Sequence, residues 1–164
     1  MTTKVPNSML ETPAGAVQVK SASTSATFNT TSGGSTVDNV TPDNTVGAQL
    51  LTVSITPTSA ANFLEVEAVV QCASTGTGII AGTLFRDAAT APFGGNMITA
   101  VTANTPYQLV VRGRVAAGST AATTIRLRIG SSGASSVRIN TASGGGALLG
   151  GVAVTSLTVT EVTP

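Results

Sequence analysis

Histidine and tryptophan are absent from this 164-residue chain, cysteine occurs once, aromatic residues make up 3% and charged residues 9%. Each shortage closes a class of chemistry. Without histidine there is no imidazole to serve as general base or metal ligand, and a single cysteine can form neither an internal disulfide nor a cysteine-rich zinc site. Ordinary soluble domains are about 25% charged. Here 8 Lys plus Arg stand against 7 Asp plus Glu, a near-neutral balance with little field to gather a polyanion. Long apolar runs are missing as well. No stretch approaches the ~18 residues of a membrane helix, and the opening MTTKVPNSML lacks the apolar centre of a signal peptide. The expectation is a product made in the cytoplasm and not inserted into a membrane, with no catalytic residues, no cofactor and no metal.

What remains is small and β-branched. Ala, Gly, Ser and Thr supply 85 of the 164 residues, a bias that raises the question of disorder. Leu, Ile, Val and Phe number 40, above the roughly 20% below which chains tend to stay unfolded, so the chain is expected to fold. At this length one domain is the default, and about 68 to 70% of the unfolded surface is buried without staples.

Thr and Val favour strands because the pleated sheet accommodates their restricted side-chain torsion. Val17 and Val19 alternate with polar neighbours in AVQVK, as do Leu51, Val53 and Ile55 in QLLTVSIT. The same reading gives strands near 61–72, 78–86, 95–103, 106–116, 123–130, 136–141 and 152–162, nine in all. Between them lie TSGGS from Thr31, TPDN from Thr41, STGTG from Ser74, AGST from Ala117 and GSSG from Gly130, all turn chemistry. No segment of 12 or more residues shows a helical apolar stripe. The fold class is therefore all-β, an antiparallel sandwich or jelly roll of about eight to ten strands, with a barrel as the near alternative. Residues 15–164 form this domain. Residues 1–14 form a separate extended segment, because Pro6 and Pro13 bracket a stretch that fits neither a regular helix nor a central strand.

The sharpest constellation is a set of charges at strand spacing: Glu65 and Glu67, Arg112 and Arg114, Arg126 and Arg128. Residues two apart share a face, so each pair projects to one side. A hairpin joining 106–116 to 123–130 would set Arg112 near Arg128 and Arg114 near Arg126, and this register needs Glu65 and Glu67 on an adjacent strand as compensation. The bland reading is an exposed or subunit-facing charge ladder. Two sharper readings use the same residues. Glycoside hydrolysis needs an acid and a base across the scissile bond, whereas Glu65 and Glu67 are neighbours on one strand. Nucleic-acid binding draws on five Arg against one Glu in residues 88–164, but Tyr107 and four Phe are few for base stacking and no Lys/Arg run exists. Nucleic acid is disfavoured as a partner.

Other motifs are weaker. SGGGALLGG at Ser143–Gly151 has no Gly-Lys-Ser/Thr ending and reads as a turn or packing point instead of a phosphate cradle. Cys72 closes an apolar strand as a buried, inert thiol. Asn29 and Asn39 open glycosylation sequons, which matter only on secretion. Asp38 and Asp43 lack the dense acidic loop of a calcium site.

Two segments carry a resemblance. KVPNSML at Lys4–Leu10 and GALLGGVAVTSLTVTEV at Gly146–Val162 resemble tailed-bacteriophage virion surface proteins, among them fibre, spike and head-decoration proteins with a trimeric jelly-roll domain like that of tumour necrosis factor. FRDAATAP at Phe85–Pro92 and RVAAGSTAATTIRLRIG at Arg114–Gly130 fit the same style. The resemblance implies a homotrimer in the virion, joined to capsid or tail proteins through the N-terminal segment, with Val5, Pro6, Met9 and Leu10 as candidate attachment residues. It leaves open whether the site is head or tail, and whether a host receptor or glycan is bound. A non-viral surface or adhesion module is the alternative.

Overall fold

The computed structural model describes residues 15–30, 41–132 and 135–164, which form ten strands. These are β1 (Ala16–Thr24), β2 (Phe28–Thr30), β3 (Ala48–Ile55), β4 (Phe63–Ser74), β5 (Gly78–Arg86), β6 (Gly94–Ala100), β7 (Tyr107–Ala116), β8 (Thr123–Ser131), β9 (Val137–Ile139) and β10 (Thr155–Val162). The N-terminal segment with Val5, Pro6, Met9 and Leu10 lies outside the described residues, as do Asp38, Asn39 and the turn at residues 31–35.

Setting aside the three-residue strands β2 and β9, eight long strands remain. They pair antiparallel as first with last (β1–β10), second with seventh (β3–β8), third with sixth (β4–β7) and fourth with fifth (β5–β6). This nesting is a long hairpin folded over on itself, the jelly-roll arrangement. The added pairs β10–β4 and β5–β8 complete two four-stranded sheets, β1-β10-β4-β7 and β6-β5-β8-β3. The sheets join through one residue pair, Gly94 with Gly113. A Cβ on Gly94 would come within 2.5 Å of the Arg112 carbonyl, and one on Gly113 within 2.9 Å of the Phe93 ring, so the two chains can meet there only without side chains. On the other side β3 lies beside β1 and β10. The domain is thus a sandwich closed at one seam, between the two architectures that the alternation allows.

The core lies between the sheets. Leu64, Val66, Ala68 and Val70 of β4, Leu109 and Val111 of β7, and Leu157 and Val159 of β10 face Ile80 and Leu84 of β5, Ile125, Leu127 and Ile129 of β8, and Val53 and Ile55 of β3. Burial of each large aliphatic side chain contributes about 1.5 to 3 kcal/mol relative to exposure.

Two expectations need correction. The hairpin joining residues 106–116 to 123–130 does not form, because β7 and β8 belong to different sheets and residues 117–122 cross from one to the other. Backbone bonds from Ala117 N to Asn62 O and from Gly118 N to Ala60 O draw that crossing toward the loop before β4. The last strand begins at Thr155, not 152, since Leu149, Gly150 and Gly151 turn the chain through positive φ. β2 was not anticipated.

Candidate functional site

The outer face of β1-β10-β4-β7 carries two ion pairs side by side. Alternation sends Leu64, Val66 and Ala68 inward and so places Glu65 and Glu67 outward, while register sets Glu65 against Arg114 and Glu67 against Arg112 on β7. On β4's other side Thr160 and Thr158 of β10 stand opposite the same glutamates. Two parallel rows result, Arg112–Glu67–Thr158 and Arg114–Glu65–Thr160. In the first, Arg112 Nε donates to Glu67 Oε2 at 2.7 Å. In the second, Arg114 Nε is 3.7 Å from Glu65 Oε1, and its guanidinium lies 4.1 Å over the Phe63 ring, a cation–π contact. Between the rows, over the backbone of Val66 and Gly113, is an open depression of 440 Å³. A smaller one of 210 Å³, lined by Gly95, Asn96, Val110 and Arg112, adjoins it at the seam.

Arg126 and Arg128 are elsewhere. Both lie on β8 in the second sheet, Arg126 opposite Thr52 and Phe85, Arg128 opposite Gln49 and Thr83. Arg128 donates to the carbonyls of Thr45, Val46 and Gly47, and so clamps the loop before β3. The expected proximity of Arg112 to Arg128 and of Arg114 to Arg126 fails with the hairpin. Four of the six charges form one ladder, and the other two serve the opposite sheet.

The most constrained ionisable group is one that sequence reading counted only as a charge. Glu161 is 0% exposed. Its Oε2 accepts from Gln18 Nε2 at 2.6 Å, and its Oε1 accepts from Asn62 Nδ2 at 2.6 Å, from Thr58 N and Oγ1 at 2.8 Å each and from Ser59 N at 3.3 Å. Burial pushes the carboxyl upward, but the Gln18, Asn62 and Thr58 bonds together outweigh it and hold the group at about 2. The strand alternation Leu157, Val159, Glu161 already pointed this carboxylate inward. At the other end of β10, buried Asn140 (φ 53) donates to the carbonyls of Thr24 and Ala26 and accepts from Thr155 Oγ1.

The remaining candidates are structural. Cys72 is buried, and burial pushes its thiol up to about 12. Asp43 accepts from the backbone and hydroxyl of Thr45 in a tight turn. Among the described residues no three His, Cys, Asp or Glu side chains converge as a metal site, and no helix is long and apolar enough to cross a membrane. Glu65 and Glu67 share one face of one strand, each beside a guanidinium.

No family model matches the chain, and no curated protein sequence does. Among solved structures, the chain is similar to the infectious bursal disease virus VP2 subviral particle, at 14% identity and a TM-score of 0.41 over 91% of this chain and 39% of that one. It is also similar to the CBM36-1 domain of a multidomain xylanase from the hindgut metagenome of Trinervitermes trinervoides, at 11% identity and a TM-score of 0.35 over 82% of this chain and 96% of that one. The chain spans about two fifths of the length of the VP2 chain it matches.

Proposed function

We propose that the protein is a non-catalytic structural component of a bacteriophage virion, a homotrimeric jelly roll on the head or tail surface. The observation that carries the reading is the outer face of β1-β10-β4-β7, where Glu65 and Glu67 are paired in place with Arg114 and Arg112 and β10 adds the short side chains of Ser156, Thr158 and Thr160. Such a face suits packing against a flat partner more than chemistry. Next to it β1 exposes Val17 (42%) and Val19 (56%), aliphatic surface that a second copy of the chain would cover. Identical copies around a closed axis cover each other's faces and leave no open edge to pair further. In this reading residues 1–14, with Val5, Pro6, Met9 and Leu10, attach the trimer to a capsid or tail protein. The resemblance at Lys4–Leu10 and Gly146–Val162 supports the virion setting.

A second reading, a receptor- or glycan-binding adhesion module, is favoured by the depression between the two rows, whose carboxylates, guanidinium groups and hydroxyls suit a polyhydroxylated ligand.

Light scattering is expected to return a trimer at micromolar concentration; a monomer would overturn the assembly. Labelled antibody is expected on virions, over the whole head for decoration or at the tail end for a fibre, and absence from both would sink the virion reading. Deleting residues 2–13 should leave folding and assembly intact but keep the protein off particles. Blocking of host adsorption by purified protein would favour the second reading.

A further inference from the structure

The two rows on the outer face of β1-β10-β4-β7 differ in how much of their hydrogen-bonding capacity is spent. In one row a bond joins the charges, from Arg112 Nε to Glu67 Oε2 at 2.7 Å. In the other the gap from Arg114 Nε to Glu65 Oε1 is 3.7 Å, an ion pair that contains no hydrogen bond. Among the described residues no hydrogen bond engages the side chains of Glu65, Arg114, Thr158 or Thr160, and all four line the 440 Å³ depression. Arg114 is nonetheless held in place. Its guanidinium lies 4.1 Å over the Phe63 ring, a contact that engages no oxygen acceptor and so leaves its N–H donors unspent. A group fixed before a ligand arrives loses little freedom on binding.

This inventory selects a ligand by charge. Glu65 and Glu67 on β4 stand one strand, about 4.8 Å, from Arg114 and Arg112 on β7. An anion drawn to the arginines therefore meets two carboxylates, and a cation drawn to the glutamates meets two guanidinium groups. A hydroxyl meets neither penalty. It accepts from a guanidinium and donates to a carboxylate at once, and so bridges Arg114 to Glu65 where the pair leaves that bond unmade. Thr160 and Thr158 on β10 extend the two rows with hydroxyls of their own. Along the strands the same face turns apolar, at Phe63 and Val162 on one side and at Val69 and Val110 on the other, which suits the C–H faces of sugar rings. We infer that the depression takes a neutral glycan, with one sugar hydroxyl bridging Arg114 to Glu65 and the joined Arg112–Glu67 pair as a second contact. The inference rests on the second reading above, the adhesion module, and adds to it the charge class of the glycan and the pair that grips it.

A glycan array carrying neutral hexose oligomers, uronate oligomers and chitosan oligomers tests this with the full-length protein, followed by calorimetric titration of the bound glycan at low and high salt. Neutral oligomers are expected to bind, with a Kd that salt leaves unchanged because no net charge is neutralised. Glu65→Gln and Arg114→Gln should each weaken that binding about tenfold or more, as the loss of a charged hydrogen bond does. Arg126→Gln, on the second sheet, should leave it unchanged. Exposed pairs contribute little to stability, so thermal denaturation should show all three variants folded. Selective binding of uronate or chitosan oligomers, or a Kd that rises with salt, overturns the neutral class and leaves the adhesion reading standing. Neutral binding that survives both Glu65→Gln and Arg114→Gln overturns the assignment to this pair. Binding of no glycan in any class overturns the adhesion reading, and the inference with it.

Discussion

Glu161 Oε1 accepts a 2.6 Å hydrogen bond from Asn62 Nδ2, although the carboxylate is fully buried and its hydrogen-bond donors are all neutral. Through that one side chain β10 is fastened to β1 at Gln18 and to the loop before β4 at Thr58, Ser59 and Asn62. A buried anion is tolerated only where hydrogen bonds replace its water, and here five do.

The consequence is a defined acid sensitivity. In the unfolded chain the Glu161 carboxyl sits at its ordinary 4.5, and in the folded chain at about 2. The folded form thus prefers the charged state, and the stabilisation is complete above pH 4.5 and disappears as pH falls through 2. By linkage this amounts to about 3 kcal/mol. Asp43 and Asp87, both held below their ordinary range, act in the same direction. Urea denaturation at stepped pH should show stability falling through this window. Glu161→Gln should lower stability at pH 7 by about 1.5 to 3 kcal/mol and flatten the fall. An unchanged pH profile in that variant would show that the loss arises elsewhere.

Asn140 plays the matching part at the other end of β10. Its left-handed backbone suits asparagine better than most residues, and its amide ties Thr24 and Ala26 to Thr155. Asn140→Ala should cost about 2 to 4 kcal/mol, combining unmade buried bonds with backbone strain. Asn140→Gly loses the same bonds but not the strain tolerance, so it should be the milder of the two. Thermal denaturation of both variants separates the contributions, and equal losses would assign the whole effect to the hydrogen bonds.

The charge ladder should behave differently. Arg112 and Glu67 are exposed, and exposed pairs contribute about 0 to 1 kcal/mol. A double-mutant cycle on Glu67→Gln and Arg112→Gln should return a coupling in that range. If copies meet on this face, replacing Glu65 and Glu67 together by Gln should weaken assembly, more at low salt than at high salt. Unchanged assembly at both salt levels would place the ladder outside the interface.

These features were unequally legible in the sequence. Alternation located the strands because Leu64, Val66 and Ala68, or Ile125, Leu127 and Ile129, must all face one core. It also placed Glu65 and Glu67 outward on one face. It could not say which strands pair, since that depends on loops such as residues 117–122. Sequence neighbours often form hairpins, yet Arg86 donates to the carbonyls of Ala116 and Ala117 and helps draw this loop across to the second sheet. Strand β2 escaped because three residues carry no period. Glu161 was readable by parity, but its donors come from positions 99 to 143 residues away, which periodicity does not reveal.

The seam between the sheets yields the last prediction. Gly94 and Gly113 face each other where β6 meets β7, and their backbones are close enough that a Cβ on Gly94 would lie 2.5 Å from the Arg112 carbonyl and 2.9 Å from the Gly113 Cα. Main chain cannot turn aside as a side chain can, so Gly94→Ala must push β6 away from β7. A Cβ on Gly113 meets the Phe93 ring at 2.9 Å, and a ring can rotate or shift, though Phe93 then packs less well against the core. Overpacking of this kind costs about 1 to 3 kcal/mol, and Gly94→Ala should fall at or above the upper end. Gly146→Ala is the control: its φ is −72 and nothing lies within 4 Å of the added carbon, so its stability should change by less than about 0.5 kcal/mol. Urea denaturation of the three variants gives the ranking. If Gly94→Ala proves no worse than Gly146→Ala, the sheets are not closed at this pair, and the domain is an open sandwich.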